Sequence, residues 1–179
     1  MTSEATGTAS PPSAPTTRPA IETPTGRFEF AAHNCFACGT LNASGLHLDL
    51  HVDGERCWTD LEIPDRFQGW DEIAHGGIVA TILDEVMAWS LVDADNWGLT
   101  ARMSVDYKRP VPLGRPIHAE GWITESRRRI VTTAGRMVDG TNGELLATAE
   151  ATYVAATDDR KRELKERYGY QGPETGTPA

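Results

Sequence analysis

Apolar and polar residues alternate most cleanly between positions 46 and 53, where Leu46, Leu48, Leu50 and Val52 are interleaved with His47, Asp49, His51 and Asp53. A period of two predicts a strand with one buried face, and Asp53-Gly54 predicts a hairpin turn at its end. The return strand covers residues 56–63, with Cys57, Thr59, Leu61 and Ile63 on one face, and Pro64 stops it. Residues 64–74 read as a loop. From Ile78 the period becomes helical. Ile78, Val79, Ile82, Leu83, Val86, Met87, Trp89 and Ser90 cover more than half the circumference, which predicts a helix buried on most sides. The remaining stripe is Ala80, Thr81, Asp84 and Ala88, small apart from one carboxylate. A stripe facing solvent would carry long charged side chains, so a small one predicts close approach of another backbone, such as a symmetry-related helix.

Four more strands follow, at 100–108, 117–125, 130–138 and 144–156. In the first, Ala101, Met103, Val105 and Tyr107 share a face. The last two join through Asp139-Gly140-Thr141-Asn142-Gly143, and Arg127-Arg128-Arg129 sits at a tight connection. The order of strand, strand, long helix and four strands predicts an α+β fold, an antiparallel sheet of five to six strands wrapped around one buried helix. Residues 28–157 hold this domain. Residues 1–27, rich in Thr, Ser, Pro and Ala with no apolar run, are expected to be a disordered tail. Residues 158–179 are expected to be a charged segment, helical over 158–167, followed by a flexible terminus.

Composition narrows the partners. The 179 residues are 39% apolar, which is low and fits a domain flanked by tails. Seventeen Lys and Arg against 26 Asp and Glu give a net charge of −9, which argues against nucleic acid as a partner. No apolar run approaches the roughly 18 residues that span a bilayer, and no apolar signal region opens the chain, so the expectation is a cytoplasmic protein without a membrane partner. Three cysteines are too few for a disulfide scaffold. Cys35 and Cys38 form one CxxC. With His33 and either His47 or Cys57 they could supply four zinc ligands, but no second paired spacing exists, and the pair reads more simply as small residues in a structured loop. No metal and no cofactor are assigned.

The chemistry concentrates at the start of the helix. Gly76 and Gly77 follow His75 and leave the first turn without side chains, so free N–H groups and the helix dipole can meet a developing negative charge. Asp84 lies on a mostly buried helix, where a carboxylate is costly unless it is paired or functional. Glu85, at the edge of the apolar face, reads as a flanking residue. Gly76 and Asp84 are eight residues apart, about 12 Å along a helix axis, so one carbonyl cannot touch both on the same helix. Two helices packed antiparallel about a two-fold axis would bring Gly76 of one copy to Asp84 of the other, which predicts a site shared across a homodimer.

His75-Gly76-Gly77 with Asp84 nine residues after the histidine resembles the motif of hotdog-fold acyl-CoA thioesterases, most closely those of the phenylacetate-degradation and thioesterase-superfamily-member types. The likeness extends over about residues 30–156. It includes Cys35-Phe36-Ala37-Cys38-Gly39, Asn42, Gly45-Leu46, Phe67-Gln68-Gly69, Ala80-Thr81, and Thr100 leading to Tyr107-Lys108-Arg109-Pro110.

The resemblance implies hydrolysis of an acyl-CoA to free acid and CoA. Gly76 would polarise the thioester carbonyl, with Gly77 beside it on the substrate. Asp84 would act as general base or nucleophile, Thr100 would position water or Asp84, and His75 would orient the helix start. Relatives often carry Asn or Gln six residues before the histidine, where this chain has Gly69 with Gln68 adjacent. Lys108, Arg109, Arg127, Arg128 and Arg129 are the basic residues expected to meet the phosphates of coenzyme A. The resemblance also allows two dimers to pair as a tetramer. A hotdog enoyl-CoA hydratase or dehydratase and a non-catalytic acyl-CoA-binding module are the alternatives.

Overall fold

The computed structural model describes residues 20–23 and 26–169. Most of the expected N-terminal tail, and residues 170–179, therefore lie outside the described residues. Residues 20–23 and 26–29, part of which is expected from the sequence to be disordered, form a small antiparallel pair, β1 (Ala20–Thr23) and β2 (Gly26–Glu29).

The main sheet is built from β3 (His51–Asp53), β4 (Arg56–Glu62), β7 (Gly98–Tyr107), β8 (Pro116–Arg127), β9 (Ile130–Asp139) and β10 (Leu145–Ala155). Its order is β3-β4-β8-β9-β10-β7, antiparallel throughout. Between β4 and β7 lie a 3-10 turn (Asp65–Phe67), a short hairpin of β5 (Gln68–Trp70) and β6 (Ile73–Ala74), and the helix α1 (Gly76–Trp89). The fold is the expected α+β arrangement, with six strands curled around one helix.

The α1 side chains Val79, Ile82, Leu83, Val86 and Met87 are fully buried against the sheet, together with Ile117, Ala119, Val131, Met137 and Ala147. Burial of each large aliphatic side chain contributes roughly 1.5–3 kcal/mol. Two glycines set the depth of this packing. Gly121 and Gly135 are direct partners across β8 and β9. A Cβ on Gly121 would lie 2.6 Å from the Met87 amide nitrogen and 2.7 Å from the Val86 carbonyl carbon. The helix backbone occupies the space a side chain would need.

The alternating pattern at 46–53 is only partly a sheet strand. Leu48, Leu50 and Val52 are buried as the period requires, but the ladder holds only His51–Asp53. Upstream, the Leu46 and Leu48 amides donate to the carbonyls of Phe36 and Ala37. The backbone of the CxxC loop thus takes the hydrogen bonds that a sheet neighbour would have taken. The 64–74 segment, read as a loop, folds its second half into the β5–β6 hairpin.

The charged segment after the sheet forms α2 (Asp158–Tyr168). One face docks, since Lys161 and Lys165 pair with Asp95 and the Tyr168 carbonyl accepts from the Ala31 amide. Strand β7 closes the sheet opposite β3. Among the described residues it pairs with β10 along one side only, and Leu99 and Tyr107 on it are 78% and 54% exposed.

Candidate active site

The helix start is organised by His75. Its backbone is extended (φ −62°, ψ 133°) and its Nδ1 accepts from the Gly77 amide at 2.9 Å. An accepting Nδ1 puts the ring proton of the neutral imidazole on Nε2. The His75 carbonyl accepts from the amides of Ile78 and Val79. Of the first four amides of the helix, those of Gly77, Ile78 and Val79 are thus engaged, while Gly76 makes no such bond among the described residues. The Tyr107 hydroxyl, from the end of β7, donates to the Gly76 carbonyl at 2.8 Å and braces that residue from the sheet side.

Position 69 can hold only a small residue. A Cβ there would come within 2.9 Å of the His75 Cα. The neighbouring Gln68 uses its side-chain oxygen to accept from the Glu72 amide in its own hairpin turn, at 3.3 Å. Position 69 thus offers no side chain, and the Gln68 side-chain oxygen is engaged in the hairpin turn.

Asp84 is half-buried on the small stripe of α1, and its Oδ1 receives two hydroxyls. Thr100 donates to it at 2.9 Å from β7, and Tyr153 donates at 2.9 Å from β10. The Tyr153 hydroxyl also lies 3.1 Å from the Asp84 backbone carbonyl. Thr100 and Tyr153 are direct cross-strand partners, brought into register by a bulge. Thr152 faces Arg102 and Tyr153 faces Thr100, so Ala101 is the extra residue. A bulge shifts the side-chain phase by one. It removes Ala101 from the helix-facing set of Met103 and Val105 and puts Thr100 there instead.

Tyr153 is fully buried, and was not among the residues singled out in the sequence. Burial first, and the adjoining Asp84 charge second, push its hydroxyl pKa well above the ordinary phenol value. It therefore serves Asp84 as a hydrogen-bond donor.

The two halves of the motif do not meet within one chain. Gly76 and Asp84 lie on one unbroken helix, about 12 Å apart along its axis. The basic residues divide in the same way. Lys108 and Arg109 follow β7 at the Gly76 end, where both amides donate to the Leu146 carbonyl. Arg127, Arg128 and Arg129 form the β8–β9 turn at the Asp84 end, beside Ala155. Four of the five are already engaged: Lys108 with Asp106, Arg109 with Glu144, Arg127 with Glu125, and Arg129 through Nε to the Ala155 carbonyl. Arg128, held at φ 55° in the turn, forms no ion pair among the described residues.

The fold agrees with the comparisons. A model of the thioesterase superfamily matches residues 72–146. The fold is the hotdog fold, and residues 72–146 resemble the thioesterase superfamily. Acyl-coenzyme A thioesterase THEM4 of Xenopus laevis is 28% identical to this chain over 87 residues, which are 49% of it and 39% of that protein. This hotdog chain thus spans well under two thirds of the Xenopus relative. Among solved structures, the thioesterase superfamily protein RHA08564 has a TM-score of 0.62 at 27% identity, covering 68% of this chain and 60% of that one. The smu.793 protein of Streptococcus mutans UA159, bound to acetyl CoA, has a TM-score of 0.55 at 17% identity, covering 57% and 82%, and shares the fold.

Proposed function

We propose that this hotdog domain hydrolyses the thioester of an acyl-CoA at a site shared by two copies of the chain. The observation that carries the reading is the separation of two prepared groups. Asp84 is oriented by Thr100 and Tyr153, while the uncommitted Gly76 amide sits eight residues earlier on the same rigid helix. Each needs its counterpart from elsewhere. A second copy fits, because β7 is a ten-residue edge strand with one unpaired side and an exposed Leu99, and unpaired edges template further strands. Pairing β7 to β7 about a two-fold axis would extend the sheet. It would also lay the small stripes of the two α1 helices side by side, antiparallel.

In such a site the Gly76 amide of one copy donates to the thioester carbonyl oxygen, which gains negative charge in the transition state. The Asp84 carboxylate of the other copy either takes a proton from an attacking water or attacks the carbonyl carbon itself. With water as nucleophile the C–S bond breaks, the free acid forms and coenzyme A leaves as a thiolate that is then protonated; with Asp84 as nucleophile C–S cleavage leaves an acyl-Asp84 anhydride, which a water hydrolyses to free acid and the restored carboxylate. His75 keeps the Gly76 amide aimed by capping the helix start. The same two-fold axis brings Lys108 and Arg109 of one copy towards the Arg127–Arg129 turn of the other, so cations from both chains border the site. The acyl-CoA thioesterase name of the Xenopus relative and the acetyl CoA in the Streptococcus neighbour support this substrate class.

Subunit complementation tests the reading. Asp84→Asn removes the carboxylate without changing shape. Gly76→Pro removes the amide, and proline is tolerated at the first helical position after an extended residue such as His75. Each variant alone should lose roughly 10²-fold or more in thiol release from acyl-CoA. Co-expressed, the two chains form heterodimers with one intact site, so activity should return to about a quarter of wild type. Absence of recovery from folded, mixed dimers would refute a shared site. Full activity of Asp84→Asn would remove Asp84 from the reaction, and water addition to an enoyl-CoA without thiol release would favour a hydratase.

A further inference from the structure

Beside Asp84, on the face of α1 turned away from the stripe, Glu85 points at the CxxC loop. The loop is tightly wound. The Gly39 amide donates to the Cys35 carbonyl at 3.0 Å and the Leu41 amide to the His33 carbonyl at 3.1 Å. A Cβ on Gly39 would lie within 2.5 Å of the Cys35 backbone and the His33 carbonyl oxygen. Only glycine closes this turn, and the turn holds both thiols on one side. The Cys35 sulfur, the Cys38 sulfur and a Glu85 carboxylate oxygen all lie within 4.8 Å of one another, and all three residues are half-buried. The Cys35 sulfur is 4.0 Å from Glu85 Oε1.

Neither the fold nor the reaction proposed above uses this group. A carboxylate beside two thiols, away from bulk water, is costly without a positive partner. The carboxylate is itself oriented from outside, since the Trp89 indole N–H donates to Glu85 Oε1 at 2.9 Å, the arrangement that fixes carboxylate ligands in metal sites.

We propose that Cys35, Cys38 and Glu85 form a zinc site that clips the 33–41 loop to α1. Two sulfurs and one carboxylate oxygen make a donor set suited to zinc. Bond lengths of about 2.3 Å to sulfur and about 2.0–2.2 Å to oxygen require the three atoms to draw together by roughly an ångström at most, which small side-chain rotations supply. The fourth position faces a cavity of about 820 Å³ lined by His33, Trp89, Trp97 and Arg167 among others, from which a water completes the tetrahedron. Of the four-ligand sets open from the sequence, His33, His47 and Cys57 are not members of this group, and Glu85 joins the two cysteines instead. Binding expels the thiol protons, and the ion's two positive charges offset most of the three negative ones.

The test uses the full chain, stripped of metal under reducing conditions. Zinc uptake is measured by competition with a chromophoric chelator, and cobalt(II) uptake by its absorption spectrum. About one equivalent per chain is expected, with sulfur-to-cobalt charge-transfer bands and the strong visible bands of tetrahedral cobalt. Cys35→Ser and Cys38→Ser should abolish both, and Glu85→Gln should weaken zinc by about tenfold or more. Should a cysteine variant fail to fold, protection of Cys35 from iodoacetamide by zinc in the wild-type chain gives the same answer. Zinc that fails to compete with the chelator or to protect Cys35, or affinity untouched by Glu85→Gln, would overturn the proposal. None of these readouts depends on thioester hydrolysis.

Discussion

Tyr153→Phe isolates one atom of the Asp84 cluster. The tyrosine ring is fully buried and stays in place as phenylalanine, so packing is conserved and only the hydroxyl is lost. That hydroxyl donates to the Asp84 carboxylate at 2.9 Å and lies 3.1 Å from the Asp84 carbonyl. A hydrogen bond to a charged group contributes about 1.5–3 kcal/mol, against about 0.5–1.5 kcal/mol for a neutral pair. The acceptor is only half-buried and keeps its Thr100 bond, which places the expected loss near the lower end, about 1.5–2 kcal/mol. For a domain of this size that lowers the melting temperature by roughly 3–8 °C.

Urea unfolding measures the loss directly, as a lower midpoint with an unchanged slope. Tyr107→Phe is the internal control. Its ring is more than half exposed and its hydroxyl meets only the neutral Gly76 carbonyl, so it should cost under about 1 kcal/mol. Thr100→Val completes the comparison. With both donors gone the carboxylate turns freely, so the double variant should lose more turnover than the two single losses predict, by about 0.5 kcal/mol or more. A Tyr153→Phe protein as stable as wild type, or strict additivity with Thr100→Val, would show that Asp84 is not held by this pair.

Three further outcomes follow from the geometry. Gly121→Ala places a methyl group against the Val86–Met87 backbone, so thermal unfolding should show a loss of about 1–3 kcal/mol; Gly135→Ala, whose methyl group would lie 3.1 Å from both the Glu120 carbonyl oxygen and the Met87 side chain, is less crowded and should cost less. Arg128→Glu should raise KM for an acyl-CoA more than for the matching acyl-pantetheine, because Arg128 is the member of the turn free to meet phosphate; equal effects in steady-state kinetics would remove it from that role. The Asp139 carboxylate accepts from the Thr141 and Asn142 amides and pairs with Arg115, with the Thr141 amide the largest cause, which holds its pKa below the usual carboxylate range. Its stabilisation is present above about pH 4 and is lost as pH falls through the depressed value. Asp139→Asn should therefore be less stable than wild type at neutral pH, with the gap closing in acid, as read by denaturant midpoints across pH.

The parts legible in the sequence are those whose signal is local. The helix announced itself by its period, and Asp84 by being a carboxylate on that period. His75-Gly76-Gly77 fell at the helix start because glycines follow a capping residue there. Three features depended on what stands opposite. The period at 46–50 was read correctly as a buried face, but its backbone partner, the CxxC loop, lies ten residues upstream in an irregular segment. Strict alternation along β7 puts Ala101 on the inner face, and the bulge that gives the place to Thr100 leaves no mark in the residue pattern. Tyr153 reads as an ordinary core position of β10. The clue available was a pairing of needs: a tyrosine on a buried strand face requires an acceptor, and Asp84 on a buried helix requires a donor. Glu85 was set aside as a flanking residue because its neighbours Cys35 and Cys38 are fifty residues away in the chain.

The glycine pair beneath α1 bears on how this chemistry could be altered. Asp84 rides on the helix, whereas Thr100 and Tyr153 belong to the sheet, so their hydrogen bonds are set by the height of one layer above the other. Gly121 and Gly135 fix that height by lacking side chains. The sheet thus works as a shim of minimum thickness, and each added carbon would widen the gap at Asp84 from a position that no substrate reaches. A designer wishing to loosen the carboxylate in graded steps would adjust these two floor positions and leave Asp84, Thr100 and Tyr153 as they are.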